Sequence, residues 1–170
     1  MLTPEVTKTL VTSLVLSRLD YCNAVLAGAS CKLLSRLQVV QNNAARLISK
    51  KKKSTSVTPL LKELHWLPIA QRIDYKCAIL CYKCIHGLAP QYLRDILNLH
   101  QPRRALRSSE DFLVLETPRT NLKSFGDRAF SSYAPRIWNS LPKKIRDIGK
   151  VEAFKKQLKH YLFLKAYGID

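Results

Sequence analysis

Cys77, Cys81, Cys84 and His86 are the residues of this 170-residue chain whose types first suggest chemistry. Thiolates and imidazoles are the usual ligands of zinc. Their spacing points elsewhere. On a helix the three cysteines fall at i, i+4 and i+7, on the flank that carries Ile73 and Leu80, while His86 projects to the other side. Structural zinc sites join one Cys-x2-Cys pair to a second pair, or to histidines, from a separate element, and no answering pair follows here. The cysteines therefore read as core fillers, and neither a metal nor another cofactor is expected.

Carboxylate chemistry fares no better. Two-metal polymerases and nucleases need acids clustered tightly enough to hold two cations about 4 Å apart. The chain has 12 acids, with no Asp-Asp pair on a strand turn, and Glu110-Asp111 lies in a polar stretch with no apolar strand before it. A Gly-rich phosphate loop, a Gly-x-Ser-x-Gly turn and a His-Glu-x-x-His helix are all missing. The expectation is a protein without catalytic activity of its own.

The charge is more informative. The net charge is +17 and the pI about 10.0, a balance typical of proteins that meet polyanions. No Asp or Glu occurs between Tyr21 and Lys62, a stretch holding Lys32, Arg36, Arg46, Lys50, Lys51, Lys52, Lys53 and Lys62. Lys32, Arg36, Asn43, Arg46 and Lys50 span about 80° of a helical wheel, so they form one strip that the lysine run prolongs. Arg72, Lys76 and Lys83 line a flank of a later helix, with Tyr75 and Tyr82 beside them. Such cations neutralise phosphates, and neighbouring rings offer stacking surfaces to bases; the same tyrosines also suit ordinary packing. Arg103, Arg104, Arg107, Arg119, Lys123, Arg128 and Arg136 make a second basic cluster, diluted by Glu110, Asp111, Glu116 and Asp127.

These side chains must be positioned by helices. Thr3-Pro4 reads as N-cap and first helical residue and Gly28 as the stop, so the pattern predicts a helix over 4–27. Val6, Leu10, Leu14, Tyr21 and Val25 make one apolar stripe on it, and Val11, Val15, Leu19, Cys22 and Leu26 an adjacent one. Arg18 projects into that arc, either as a snorkelling side chain or to make a buried ion pair or a phosphate contact. A second helix is expected over 31–50 with Leu33, Leu37, Val40, Ala44, Leu47 and Ile48 on its apolar side. A short helix starts near Thr58-Pro59 and ends before His65. Others are expected over 69–86, stopped by Gly87, and from Ala89-Pro90 through Leu97. Residues 99–111 read as a linker. Phe112–Glu116 and Asn121–Phe125 suit a small hairpin across Thr117–Thr120, although Pro118 weakens the pattern. Short helices follow over 127–141, interrupted at Pro135, and a last one over 151–164 carries Val151, Phe154, Leu158, Tyr161 and Leu162 on one side.

Length allows one core but not two full domains. Five cysteines without a secreted-scaffold spacing suit reduced thiols in an intracellular protein, nuclear or cytoplasmic. Leu10–Leu16 is too short to span a membrane, and no basic segment precedes it as in a signal peptide. Lys50–Lys53 has the composition of a nuclear signal, although so short a basic run is common.

Several stretches occur in one order: Ser17-Arg-Leu-Asp-Tyr-Cys-Asn23, Leu37-Gln-Val-Val-Gln-Asn-Asn-Ala-Ala-Arg-Leu-Ile48, Leu61-Lys-Glu-Leu-His-Trp-Leu-Pro68 continuing into Arg72-Ile-Asp, and Gly87-Leu-Ala-Pro90 with Tyr92-Leu93. Leu106-Arg-Ser-Ser109, Pro118-Arg-Thr120, Phe125-Gly-Asp-Arg-Ala-Phe130, Ala134-Pro-Arg-Ile-Trp-Asn-Ser-Leu-Pro142 and Phe154-Lys155 complete the series. Together they resemble the carboxy-terminal region of LINE-type non-LTR retrotransposon reverse transcriptases, especially the jockey-like elements. The resemblance implies that residues 4–50 are thumb-like helices that grip a template–primer duplex, followed by an extension. It makes Lys32, Arg36, Arg46 and Lys50 candidates for that grip. The palm with its paired catalytic Asp and the endonuclease have no counterpart here, so the family's activity does not carry over. Trp66 and Trp138 read as packing anchors.

The expectation is thus a mainly α chain, a bundle of about five to seven helices with room for one hairpin near 112–125. It divides as 1–50, 51–98 and 99–170, the last an extension or part of one compact domain. Its function is to bind nucleic acid, duplex or RNA–DNA hybrid, through the backbone and without sequence preference. The alternatives are a protein-interaction module, an enzyme that motif reading misses, and an element remnant without function. The palm of a parent polymerase is the partner that the resemblance implies, and without it the wide apolar arc of 4–27 would favour self-association.

Overall fold

The computed structural model describes residues 3–100, 113–122 and 125–169. The described residues are mainly helical and form no sheet. No helix among them is long and apolar enough to cross a membrane.

The chain groups into two compact units, Met1–Ile73 with Tyr161–Asp170, and Asp74–His160. The sequence reading sets its bounds at 1–50, 51–98 and 99–170. The end of the chain belongs with its beginning: the Tyr167 hydroxyl donates to the Trp66 carbonyl at 2.7 Å, and the rings of His65 and Phe163 lie 5.6 Å apart. No local sequence signal announces contacts of that separation.

In the first unit, α1 (Pro4–Val11) starts as its sequence dictates, with the Val6 N–H donating to the Thr3 hydroxyl and Pro4 supplying a preset φ. A π turn over Thr12–Leu16 leads into α2 (Ser17–Asp20). Thr7, Thr9, Ser13 and Ser17 each donate a hydroxyl to the carbonyl four residues back, a bond that loosens and bends helices. The helix expected over 4–27 stops at Asp20: Tyr21 turns extended and Cys22 takes a left-handed φ of 51°. Asp20 is held from outside by Arg72 and by the Asn23 amide at 3.4 Å, so tertiary pairing ends the helix before Gly28 is reached.

The remaining helices of this unit are α3 (Cys31–Ile48), α4 (Thr58–Glu63) and the start of α5 (Ile69–Ile85). Val11 and Leu16 pack with Ala44, Ala45, Ile48, Leu60, Leu61 and Trp66 in the core.

In the second unit, α5 continues, followed by α6 (Gln91–Arg94), α7 (Phe130–Asn139), α8 (Lys143–Arg146) and most of α9 (Val151–Tyr167). Trp138 and Phe154 are fully buried, and Phe154 stacks on Tyr82 at 4.4 Å. Helix α7 runs through Pro135 without the expected interruption. Ala134, Pro135 and Trp138 are all buried, so packing of this face outweighs the hydrogen bond that proline cannot donate. The expected hairpin does not form among the described residues, with Phe112, Lys123 and Ser124 lying outside them. Leu115 bridges antiparallel to Leu99 instead. Asn139 completes the arrangement by acting as a second strand edge, accepting from the Leu115 N–H at 2.9 Å and donating to its carbonyl at 2.8 Å. Pro118 has no amide hydrogen to offer a ladder with 121–125.

Candidate nucleic-acid interface

The orientation of α3 decides which side chains of the basic strip meet solvent. Ser30 caps the helix, its hydroxyl accepting from the Leu33 N–H at 3.4 Å. Gln41, without solvent exposure, donates its amide to the Leu67 carbonyl at 2.8 Å and accepts from Gln38 at 2.9 Å. The Gln38 carbonyl oxygen accepts the Ile69 N–H at the start of α5, also at 2.9 Å. Two neutral amides thus join α3 to the turn before α5, and both find partners there.

This relay rotates the buried stripe relative to the sequence expectation. Gln41, Ala44, Ala45 and Ile48 face the core, whereas Leu33, Val40 and Leu47 are exposed. The apolar pattern had no means of showing that a glutamine holds the centre of the buried face. On the helical wheel the Lys32, Arg36, Asn43 and Arg46 strip then lies about 180° from Gln41. Lys32, Arg36 and Asn43 are exposed.

Arg46 is half-buried and does local work. Its Nε and Nη2 donate to the Thr55 carbonyl at 3.3 and 3.2 Å, and its Nη1 to Asn43 Oδ1 at 3.4 Å. This ties the loop after α3 back to the helix and leaves the charge beside that loop. Lys50 has a φ of 50°, and the Lys51 N–H donates to the Arg46 carbonyl, so the lysine run leaves α3 through a left-handed turn. Lys50, Lys51, Lys52 and Lys53 are exposed. Arg18 is exposed as well.

Arg72 stands apart from the other candidates. Its guanidinium is bound to the carboxylate of Asp20 by two bonds of 2.8 and 2.5 Å, and its side chain keeps 16% of its surface in water. Most of its charge is answered within the protein.

In the second unit Lys76 is exposed and Lys83 half-buried. Of the rings beside them, Tyr82 is buried against Phe154 and cannot stack on a base, and Tyr75 is half-buried. Arg119 and Arg128 are exposed, while Arg136 donates to Asp127 at 2.7 Å and to Ser132 at 2.8 Å. Arg103, Arg104, Arg107 and Lys123 lie outside the described residues.

The thiols of Cys77, Cys81 and Cys84 are buried in this unit. Burial, with help from the Asp74 carboxylate, pushes the Cys77 thiol up to about 12. Burial likewise raises Cys81, and it raises Cys84 against the opposing charge of Arg94. Protonated thiols among apolar neighbours fill space and are poor ligands and nucleophiles.

No family model, curated protein or solved structure matches the chain.

Proposed function

We propose that the chain is a non-catalytic, helical nucleic-acid-binding segment, akin to the region downstream of the palm in LINE-type reverse transcriptases. It holds the phosphate backbone of a duplex or RNA–DNA hybrid and does not read sequence. The observation that carries this reading is the outward strip of Lys32 and Arg36 on α3, opposite the buried Gln41, continued by Lys50–Lys53 in a stretch without a single acid. Flexible cations without a rigid hydrogen-bonding partner suit phosphates, which position a nucleic acid without specifying it. The ordered series of motifs from Ser17 to Lys155 supports the family origin.

Electrophoretic binding of duplex, hybrid and single-stranded probes at two salt concentrations tests the reading. With about five phosphates neutralised, log K against log salt should slope at roughly −4 to −5 on duplex DNA. Changing Lys32, Arg36, Lys51 and Lys52 to Glu should abolish binding while leaving helical content unchanged, since all four side chains are exposed. Absence of binding at low salt, or binding indifferent to these four changes, defeats the proposal.

A further inference from the structure

Helix α1, the π turn after it and the end of α3 border an apolar groove of about 650 Å³, lined by Thr7, Leu10, Val11, Leu14, Val15, Leu47 and Lys50. Thr7, Leu10 and Val11 of α1, with Leu14 and Val15 of the π turn that continues it, supply one wall. Leu10, Leu14 and Leu47 keep 43%, 63% and 62% of their surface exposed. On α3 the flank continues away from Leu47 in seven-residue steps through Val40 and Leu33, both exposed. An apolar groove bordered by exposed leucines on so charged a protein suits docking better than scattered surface carbon does.

We infer that this groove receives an amphipathic helix from a partner protein, one that carries an apolar stripe flanked by Asp and Glu. The charge around the groove selects the occupant. Lys50 stands in the lining, Lys51–Lys53 follow it in the open, and exposed Lys8 borders the stripe on α1. No acid answers them between Tyr21 and Lys62. Glu5, the one acid on α1, projects about 160° away from Thr7. A second copy of the chain is a poor occupant, because two surfaces of a protein carrying +17 repel one another. A concave trough between two helices matches a protruding rod better than a planar lipid surface. Helix-in-groove recognition reads anchors at i, i+3 or i+4, and i+7, the spacing that a rod lying along α1 would bring to Leu10, Leu14 and Leu47.

The leucines of the groove are distinct from Lys32 and Arg36, while Lys50–Lys53 border both surfaces, so changing the leucines separates the two. The full chain is titrated by fluorescence anisotropy against a synthetic helical peptide with leucines at i, i+4, i+7 and i+11 flanked by glutamates. A matched peptide with lysines in place of the glutamates is the control. The acidic peptide should bind at least tenfold more tightly than the lysine peptide. Leu14→Ser and Leu47→Ser, which add no charge, should each weaken it at least tenfold, with helical content and duplex-DNA binding unchanged. Equal binding of the two peptides, or binding unaffected by both leucine changes, overturns the inference. So does a dimer seen by sedimentation that Leu14→Ser dissolves, which would make the occupant a second copy. Leu14-dependent adhesion to vesicles of phosphatidylserine and phosphatidylcholine, without peptide binding, would also overturn it in favour of a lipid surface.

Discussion

Asp20 and Arg72, fifty-two positions apart in the chain, meet end to end, both carboxylate oxygens accepting from one guanidinium at 2.8 and 2.5 Å. A two-point pair of this kind fixes direction as well as distance. It joins the place where α2 stops to the first turns of α5. The Asn23 amide donates to the same Asp20, so the turn that redirects the chain into α3 hangs on this carboxylate.

Removing either partner should therefore loosen the first unit. Asp20→Ala is expected to cost about 1–2 kcal/mol by urea unfolding, below the cost of breaking a fully buried pair because Asp20 retains 44% of its side chain in water. A double-mutant cycle with Arg72→Ala should return a coupling energy of about 1 kcal/mol. Additive losses would mean that the pair contributes nothing beyond its separate side chains.

Nucleic-acid binding should respond differently to the cations of α3 and to Arg72. Lys32→Gln with Arg36→Gln is expected to reduce the steepness of the log K–log salt line by about 2, one for each phosphate contact removed. Arg72→Gln should leave that slope unchanged, since its charge is already paired. A fall of about 1 from Arg72→Gln would place Arg72 among the phosphate contacts.

Thiol reactivity should divide the five cysteines. Cys22 and Cys31 are exposed and should react with a disulfide reagent at once, whereas Cys77, Cys81 and Cys84 should react only on unfolding. The same burial predicts alkaline sensitivity. Cys77 is raised from 9.0 to about 12, so the folded protein keeps a proton that the unfolded chain releases. The contribution of this thiol should hold constant below about pH 9 and be lost as the pH climbs from 9 towards 12. The limit is about 1.4 kcal/mol for each unit separating the two pKa values. Burial shifts Tyr133 and Tyr167 in the same direction. Cys77→Ala should flatten part of this decline in chemical unfolding followed across pH.

Asn139 offers a test of the second unit. Its amide satisfies both backbone groups of Leu115, a residue with almost no solvent exposure. Asn139→Asp keeps the shape but faces the Leu115 carbonyl with an acceptor, and should cost about 1–3 kcal/mol. Thermal unfolding of the variant measures this, and an unchanged midpoint would show that the bridge at Leu99 holds without it.

Local chemistry was readable from the residues wherever it is local. Thr3-Pro4 starts α1 where its side chains predict, and Gly87 at a φ of 70° follows the end of α5. The cysteine spacing showed which side of α5 is buried. What escaped depends on distant partners. Nothing near Asp20 reveals that Arg72 will hold it, and Cys22 in a left-handed turn is no one's expectation when Gly28 stands six residues on. Gln38 and Gln41 look like surface polar residues until Leu67 and Ile69 are placed beside them. For that reason the basic strip was legible, while the flank of α3 that carries Leu47 was misplaced.

Trp66 is buried in the first compact unit and Trp138 in the second, and the chain has no others. Replacing each in turn with Phe gives two single-reporter proteins whose emission follows one half of the molecule at a time. Two denaturation midpoints would then mean that the halves melt as independent bodies. One shared midpoint would mean that α5 and α9, each supplying residues to both, bind the chain into one cooperative transition.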